Sequence, residues 1–375
     1  MRTLLVGVPG GRRAKLWQEA LAARGWPEAE ECTYAQAISG PKRLGERVTS
    51  GMAVRLESPD NDVETNAFLL RLGAESCAAE GGRPLGDAAA KAALAERGRI
   101  VQPRQWYLGF CAALAGIECE LTEAPPRRLL NDPGEIATLY DKTKCLEVMA
   151  AAEAPIPPSA RRIAGYDDLR ARRDESPRGR WMVKLAHGSA AAGAMAVEFA
   201  GDRVRALTTA VSEGPPGEPK IYGCLRIRSI VGEAEVANLM EAMAPWGLHA
   251  EAWLPKDRWS CGRRYDLRVL TIDGKPRHAV ARLSASPFTN LNLGNDRADA
   301  STFKERAEWR MIEEACTNAA RAFPKSLHLG IDALVGPGGR SVHLLETNAF
   351  GDLLPGATDR GESALAAQLT ALERR

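Results

Sequence analysis

The sequence lacks CxxC pairs, long apolar runs and dense clusters of Lys and Arg. Its eight cysteines have a spacing that suits neither a zinc site nor a disulfide framework, so we expect free thiols in a reducing cytoplasm. No apolar segment is long enough to cross a bilayer, and TLLVGV near the start is too short for the apolar core of a signal peptide. A net charge of +2, without basic runs interleaved with aromatic residues, argues against nucleic-acid binding. These absences predict a cytoplasmic protein that binds neither membranes nor nucleic acids.

The composition is that of an ordinary soluble globular protein. Hydrophobic residues make up 45% and charged residues 26%, and the 375 residues are enough for two or three domains with a real core. Residues 3–8 predict a buried strand, which is followed by the turn PGGRR and a helix to about Arg24. PGGRR suits either a phosphate-binding helix start or a tight turn with solvated arginines, and both interpretations remain open.

The patterns that follow predict a small N-terminal α/β lobe that ends near Pro126. In this segment the spacing of apolar residues alternates between that typical of strands and that typical of helices. The expected elements are a strand at MAVRLESPD, helices at 62–72, 87–97 and 106–116, and a short strand at ECELT.

A strong helix start follows this lobe. Asp132 is a good N-cap, Pro133 fits the first helical position and Glu135 completes a box-like pattern. Further on, RYDLRVLTIDGKPRHAVARL predicts a hairpin with an Asp-Gly turn, and LHLGIDALVGPGGRSVHLLETN predicts one with a glycine-rich turn.

The end of the second hairpin carries polar residues that point to a metal. Side chains alternate along a strand, so Glu346 and Asn348 share a face, and Asp332 joins them if the loop has an odd number of residues. Two carboxylates and an amide are hard oxygen ligands of the kind that suits Mg²⁺. A solvated sheet face is the alternative interpretation.

A loop of small residues joins two predicted strands in VKLAHGSAAAGAMAVE. Gly188, Ser189 and Gly193 bracket this loop, and Lys184 closes the strand before it. Backbone N–H groups of such a loop can bind phosphates, and the lysine would add a positive charge. The segment is not a P-loop, because no GKS or GKT follows, and an ordinary β-turn remains the alternative.

The order of these motifs carries a family resemblance. In chain order the sequence shows DK, then VK…GS…G, EAWL, DLR…R…TNLNLG and GID…LETN. From about Asn131 to Asn348 this resembles the ATP-grasp superfamily. It is most like the branch with the ribosomal-protein S6 glutamate ligase, the amino-group-carrier lysine-biosynthesis ligase and the peptide-macrocyclising maturases. The implied fold class is α/β (α+β), with an N-terminal pre-ATP-grasp lobe before a two-lobed ATP-grasp domain that holds the nucleotide between its lobes.

The resemblance also implies domain boundaries. Residues 1–126 would form the pre-ATP-grasp domain, 127–255 the helical linker and lid lobe, and 256–375 the metal-binding lobe. The N-terminal domain carries no motif of its own that we can assign.

Roles for the phosphate-binding residues follow from the resemblance. Lys142 and Lys184 would contact the ATP phosphates from two sides, and Gly188, Ser189 and Gly193 would form a mobile lid. In two places the chain departs from the family pattern. Ala191 stands where the lid often has a glycine, which would stiffen closure. Thr289 stands where relatives often have an arginine, which removes one phosphate donor.

The resemblance implies further roles for the rest of the cleft. The backbone of the hinge strand, Glu251, Ala252, Trp253 and Leu254, would read adenine, and Asp266 would lie nearby. Arg268 and Arg282 would bind the carboxylate substrate and the acyl phosphate, and Asn290 would lie beside the phosphates. One or two Mg²⁺ ions would be held by Asp332, Glu346 and Asn348.

The implied activity is that of an ATP-dependent, ADP-forming carboxylate–amine ligase. ATP would phosphorylate a carboxylate, and an amine would attack the acyl phosphate to form an amide or peptide bond. The sequence does not name the two substrates, and small amino compounds, peptides and a homodimer all remain open. The alternative function is a non-catalytic ATP-binding module whose N-terminal lobe recognises a protein partner. His187 is either a base or a residue of the pocket wall or the surface.

The chemistry requires both arginines on one face, and this predicts the register of the first hairpin. A two-residue Asp273-Gly274 turn would place Arg268 and Arg282 on opposite faces. A three-residue loop with Ile272, and with Gly274 at positive φ, would put both on the face of Asp266. We therefore predict the three-residue loop.

Overall fold

The computed structural model describes residues 1–215, 218–351 and 353–375, apart from the side chains of residues 301 and 302. The strands are Thr3–Val6 (β1), Glu30–Cys32 (β2), Ala53–Leu56 (β3), Arg128–Leu129 (β4), Arg161–Ile163 (β5), Arg180–Leu185 (β6), Met195–Ala200 (β7), Arg203–Glu213 (β8), Lys220–Val231 (β9), Leu248–Ala252 (β10), Arg264–Ile272 (β11), Lys275–Ser284 (β12), Asp296–Asp299 (β13), His328–Val335 (β14), Val342–Asn348 (β15), Thr358–Asp359 (β16) and Glu362–Ser363 (β17). The helices are Arg12–Ala23 (α1), Tyr34–Ser39 (α2), Leu44–Arg47 (α3), Val63–Leu72 (α4), Ala74–Ala79 (α5), Asp87–Ala95 (α6), Pro103–Thr122 (α7), Pro133–Leu139 (α8), Lys142–Ala151 (α9), Tyr166–Ala171 (α10), Glu233–Met243 (α11), Trp309–Arg321 (α12) and Ala364–Arg374 (α13). Within these residues, no helix is long and apolar enough to span a membrane.

The N-terminal lobe is built on a parallel sheet of order β2-β1-β3-β4. The predicted strand at ECELT is wrong, because these residues form the last turns of α7. Phe110, Leu114, Ile117 and Leu121 are buried on one side of this helix, a spacing of three to four residues that strands do not have. The expected boundaries at residues 126 and 255 stay a prediction; β4 lies just past the first and completes this sheet.

A six-stranded antiparallel sheet, of order β5-β10-β6-β7-β8-β9, forms the middle of the chain. Its strands alternate as their sequence predicts. Trp181 and Val183 of β6 are buried in one core cluster with Met240 of α11, whereas Met182 and Lys184 point to the opposite face and line a cleft. The long β8–β9 hairpin was not predicted from the sequence.

A five-stranded antiparallel sheet, of order β13-β12-β11-β14-β15, forms the other wall of that cleft. One face packs on α12, where Leu267 and Ile331 share a core cluster with Ile312 and Cys316. The opposite face carries the polar residues.

The β11–β12 hairpin differs from its predicted loop. Its turn is the two-residue Asp273-Gly274, both at positive φ, and Ile272 pairs with Lys275. A single extra residue on β12, Arg277, then shifts the register between Leu270 and Thr271. The predicted three-residue loop is therefore wrong. The bulge in β12, and not a longer loop, brings Arg282 to the same face as Asp266 and Arg268. Asp266 pairs with Arg282, so the predicted common face of Asp266, Arg268 and Arg282 is confirmed.

The β14–β15 hairpin also contains a single-residue bulge. Its loop, residues 336–341, has an even number of residues, yet Asp332 pairs directly with Glu346 because Leu345 is an extra residue in β15. Arg268 in turn pairs with Asp332. Three charged residues, Arg268, Asp332 and Glu346, thus form one row across three neighbouring strands.

Candidate active site

A cavity of about 150 Å³ lies between the six-stranded and five-stranded sheets. The structure brings nearly all predicted site residues into its wall, namely Lys142, Lys184, Gly188, Ser189, Glu251, Ala252, Trp253, Leu254, Asp266, Arg268, Arg282, Asn290, Asp332, Glu346 and Asn348. Gly193 is the exception. It lies at the base of the lid with φ +71, where an added Cβ would stand 2.8 Å from a methyl group of Leu185.

One end of the cavity is apolar. Ala252 ends β10, and Trp253 and Leu254 continue past the strand as a connection between the two sheets. Met182, Ala194 and Phe288 contribute further apolar surface. The first two residues of the predicted hinge, Glu251 and Ala252, belong to β10, and only Trp253 and Leu254 lie beyond its end. The hinge borders an apolar space of the kind that suits a nucleobase.

Lys184 is held at the cleft by a buried acidic partner. Its Nζ lies 2.6 Å from Glu251 Oε1, and the other carboxylate oxygen of Glu251 contacts His249 Nε2 at 3.2 Å. Glu251 is buried, which raises its pKa, but Lys184 and His249 outweigh burial and lower the pKa to about 2. Burial alone would lower the pKa of Lys184, yet Glu251 and Glu346 raise it. The lysine therefore carries a full charge in a largely dry site.

Lys142 enters the site from the first turn of α9. Asp141 caps this helix by accepting from the N–H groups of Thr143 and Lys144. Lys142 Nζ donates to the Gly188 carbonyl at 2.7 Å and lies 3.1 Å from Glu346 Oε1. One lysine thus links the lid to the polar row of the five-stranded sheet.

The two arginines are ion-paired with carboxylates of the same face. Arg282 is buried and bridges Asp266 Oδ1, at 2.8 Å, to Asp332 Oδ2, at 2.9 Å. Arg268 Nε lies 2.7 Å from Asp332 Oδ1, but at an angle that makes no hydrogen bond. Burial lowers the pKa of Arg282, and Asp266 and Asp332 more than reverse this. Arg282 therefore remains charged at every physiological pH.

Two residues of this wall were missed or misjudged from the sequence. Lys256 follows the hinge and donates to Thr289 Oγ1 at 2.6 Å and to Asp266 Oδ2 at 3.0 Å. Thr289, in place of the usual arginine, donates to Asp266. The positive charge missing at position 289 is thus supplied from position 256. A lone lysine in a loop offers no periodic signal by which this could have been found.

The lid is attached at both ends. Gly188 is bound by Lys142, and the Ala191 carbonyl accepts from Thr209 Oγ1 at 2.6 Å. Ala190 and Ala191 have φ angles of 55° and 57°, a left-handed conformation that costs a residue with a Cβ about 1 kcal/mol. The position where relatives often carry glycine is therefore one where the backbone favours glycine.

His187 belongs to a domain contact rather than to the cleft. Its ring stacks on Tyr107 of the N-terminal lobe, with centroids 4.0 Å apart, and Nε2 lies 3.2 Å from Asp141 Oδ2. It is buried, which lowers its pKa. His187 is buried and is not among the residues that line the cavity, so it fits neither a base in the cleft nor a pocket-wall or surface residue.

The donors for a divalent cation are arranged on one face. Asp332 and Glu346 are opposite each other, and Asn348 lies two pairs further along on the same face, opposite Gly330. Asp332 Oδ1 is buried and accepts no hydrogen bond, which is the state of an oxygen that a cation would satisfy. Within the described chain no cluster of three or more His, Cys, Asp or Glu forms a metal site. The set fits Mg²⁺, which takes few protein ligands and completes its shell with phosphate and water.

No protein-family model matches the chain, and no curated protein matches it either. Solved structures match over its full length. The ATP-grasp ligase PsnB, complexed with a phosphomimetic variant of its minimal precursor, Mg and ADP, is 14% identical with a TM-score of 0.53, and the match covers 99% of this chain and 97% of that chain.

Two further structures are similar to the same extent. The D-cycloserine synthetase DcsG is 15% identical with a TM-score of 0.55, covering 100% of this chain and 99% of that chain. The macrocyclase MdnC, bound with precursor peptide MdnA from Microcystis aeruginosa MRC, is 12% identical with a TM-score of 0.55, and both chains are covered completely. At such low identity the likeness concerns the fold, and the chain has the ATP-grasp fold.

Proposed function

We propose that the protein is an ATP-dependent ligase that activates a carboxylate as an acyl phosphate and joins it to an amine. The observation that carries this is the cleft itself, which has an apolar end for a nucleobase and, among the described residues of its polar wall, three lysines, two arginines, four carboxylates and two amides. Phosphoryl transfer requires positioned positive charge rather than a covalent protein nucleophile, and this is what the polar end supplies.

The phosphates would lie between the two lysines and under the lid. Lys184 approaches from the six-stranded sheet and Lys142 from α9, while Gly188 and Ser189 line the same cavity and the Gly188 carbonyl accepts from Lys142. Both lysines are positioned by carboxylates, so little reorganisation is needed when phosphate oxygens replace part of those contacts.

Asp332, Glu346 and Asn348 would hold Mg²⁺, which when bound neutralises phosphate charge and orients the phosphates. Arg268 stands in the same row as Asp332 and Glu346, and Arg282 stands in the adjoining row of the same face. Their charges therefore face the position where the acyl phosphate forms. A carboxylate oxygen attacks the γ-phosphorus, the bond to the β-phosphate oxygen breaks, and ADP leaves. The amine then attacks the acyl carbon, the nitrogen loses a proton, and inorganic phosphate leaves.

The comparisons support both peptide and small-molecule substrates. PsnB and MdnC were solved with precursor peptides, and DcsG is a D-cycloserine synthetase. These likenesses concern the fold, so the substrates of this chain have to be identified by experiment.

Hydroxylamine provides a test that needs only one unknown substrate. It replaces the amine and traps an acyl phosphate as a hydroxamate, so a panel of carboxylates can be screened with Mg²⁺ and ATP. We expect hydroxamate and ADP in equal amounts, with neither formed by Glu346→Gln. The matched control Glu314→Gln, an exposed change on α12, should leave both products unchanged. Formation of AMP, or nucleotide binding without ADP from any carboxylate, would contradict the proposal, and the second result would favour the non-catalytic module.

A further inference from the structure

The segment of β15 that carries Glu346 and Asn348 is short and lies at an edge. β15 is the outermost strand of the five-stranded sheet and pairs with β14. The bulge at Leu345 interrupts this pairing just before Glu346, and the pairing ends where Asn348 stands opposite Gly330. Three residue pairs therefore hold the segment that would bind the cation. Strand ends open more easily than strand centres, so fixed ligands require a further support here.

Asn131 joins the two strands beyond their last pair. Its Nδ2 donates to the His328 carbonyl at 3.0 Å and to the Ala349 carbonyl. His328 begins β14, and Ala349 directly follows the end of β15. One buried side-chain amide thus bridges the strand that carries Asp332 and the strand that carries Glu346.

The residue type at position 131 matters for this bridge. Both partners of Asn131 are carbonyl oxygens, which only accept, so the nitrogen of the amide has to face them. The other end of the amide, Oδ1, is buried and accepts no hydrogen bond within the described chain. Aspartate would place oxygen against both carbonyls, and leucine would leave both without this donor. The side chain is therefore suited to holding the two strand ends through its N–H groups.

The backbone beside Asn131 is fixed to both sheets. The Leu130 N–H donates to the Val54 carbonyl of β3 at 3.1 Å, and the Leu130 carbonyl accepts from the Leu327 N–H at 2.6 Å. Leu327 directly precedes β14. On the other side of Asn131, Asp132 is the N-cap of α8. The amide therefore extends from a backbone that the N-terminal lobe, the five-stranded sheet and a helix hold in place.

A second side chain from the N-terminal lobe binds the next carbonyl. Arg13 Nη2 donates to the Phe350 carbonyl at 2.9 Å, while its Nε lies 2.8 Å from the buried Glu57. The carbonyls of the two residues that follow Asn348 are thus both bound by side chains from outside the five-stranded sheet. The end of β15 is fixed from the N-terminal side of the chain.

We propose that Asn131 is a positioning residue for the cation site, which holds the end of β15 so that Glu346 and Asn348 face Asp332. Ligands of a functional site have to be held within about 0.5 Å of their working positions. Residues that fix metal ligands typically contribute about ten- to a hundredfold to metal affinity. This inference rests on the proposed function, since it concerns the cation that the nucleotide phosphates would share. It gives the N-terminal lobe a part in the reaction, because β3 supports the backbone beside Asn131.

Nucleotide affinity with and without metal tests this role. The dissociation constant of the non-hydrolysable analogue AMPPNP is measured by calorimetry in EDTA and again with Mg²⁺, and the ratio of the two values is the gain in affinity from the metal. Asn131→Leu is close in size and donates no hydrogen bond. We expect it to lower the gain at least tenfold, while its affinity in EDTA stays within twofold of the wild type.

Gln105→Leu is the matched control. Gln105 is also a buried amide, and its Nε2 donates to the carbonyls of Leu70, at 2.7 Å, and Leu85, at 3.0 Å. It does not line the cavity. Gln105→Leu should therefore destabilise the protein in a similar way but keep the full gain from the metal. Should Asn131→Leu fail to fold, Asn131→Ala replaces it with the same expected loss, because water can then satisfy the two carbonyls without fixing them.

The outcomes separate this inference from the proposed function. An unchanged gain in the position-131 variant, or an equal loss in Gln105→Leu, would overturn the positioning role, whereas the gain of the wild type would still support the cation site. A wild type that binds AMPPNP equally well with and without Mg²⁺ would overturn the cation site and the positioning role together.

Discussion

Asp332 and Glu346 face each other as a direct pair between β14 and β15, although the loop that joins their strands has six residues. An unbroken ladder from an even loop would place them on opposite faces of the sheet. The extra residue Leu345 moves the side chains that follow it in β15 to the other face of the sheet, and the extra residue Arg277 does the same in β12. The polar face of the five-stranded sheet therefore depends on two single-residue bulges, one that places Glu346 and one that places Arg282.

Replacing Glu346 by Gln should reduce ADP formation at least a hundredfold and leave the protein folded. The change removes a negative charge from the cation site while keeping the side chain's size. Its ion pair with Lys142 is partly exposed, with 29% of the Glu346 side chain accessible, so we expect the free energy of unfolding to change by only about 1 kcal/mol. Circular dichroism and urea unfolding check the fold, and the ADP assay checks the activity. Full activity would contradict the metal assignment.

Replacing Lys184 by Met should weaken ATP binding ten- to a hundredfold. The lysine supplies a charge-assisted hydrogen bond in a dry site, and such bonds contribute about 1.5–3 kcal/mol. Lys144→Met, at an exposed position two residues into α9, is the matched control and should bind ATP as the wild type does. Calorimetry with AMPPNP gives both affinities. Equal affinity in the two variants would show that Lys184 only neutralises Glu251.

The lid, residues 187–193, is predicted to be poorly ordered without nucleotide, because its residues are small and few of them anchor it. Hydrogen exchange measures this, and the rate should fall on addition of Mg²⁺ and AMPPNP. Slow exchange in the nucleotide-free protein would show that Lys142 and Thr209 are sufficient to hold the lid.

Ala191→Gly should keep or slightly raise stability, by up to about 1 kcal/mol, and should speed hydrogen exchange in the lid. Glycine adopts the observed φ of 57° without strain. Ala192→Gly is the matched control, because Ala192 has no positive φ and glycine there should destabilise the protein. Urea unfolding compares the two variants. Similar losses of stability in both would contradict the strain at position 191.

His328→Leu should reduce the loss of stability on acidification. Burial, with a contribution from Arg55, lowers the pKa of His328 to about 3, from an ordinary value of 6.5. Between these values the unfolded chain binds a proton that the folded protein does not, so stability is full above pH 6.5 and falls as the pH drops towards 3. The slope is about 1.4 kcal/mol per pH unit for one proton.

Urea unfolding between pH 6.5 and 5 measures this slope before carboxylates of the unfolded chain take up protons. The other four histidines also have lowered pKa values, so wild type and variant should both lose stability, the variant by one proton less. An unchanged slope would mean that His328 is protonated freely in the folded protein.

Several elements can be read from the sequence, and so can most of the residues that line the cavity. Alternation of polar and apolar residues predicts β6, β11 and β15, and the Asp132-Pro133 start predicts α8, whose N-terminal N–H of Glu135 is bound by Asp132. The capping box is only half formed, because the Glu135 carboxylate binds Lys325 and Ser326 instead. A distant segment competes for that side chain, and no local pattern shows such competition.

The register of the two hairpins could not be predicted from the sequence. A bulge changes the face of every residue that follows it, yet it requires no special residue type at its own position. The requirement that Arg268 and Arg282 share a face predicted their common orientation correctly, but it predicted a three-residue loop where the structure has a two-residue turn and a bulge. The partnership of Lys256, Thr289 and Asp266 was missed for a related reason, since it joins three separate segments.

The two bulges also determine where a residue can be deleted from each hairpin without changing which side chains lie on the polar face. If Arg277 were deleted, Pro276 and His278 would still stand opposite Thr271 and Leu270, and Arg282 would remain opposite Asp266. Loss of a residue between positions 278 and 281 would instead move Arg282 to the α12 side of the sheet. The same holds for Leu345 and the carboxylate that follows it. Each hairpin therefore has one position that absorbs a deletion, and at the positions around it the loss of a single residue would turn side chains of the polar face towards the core.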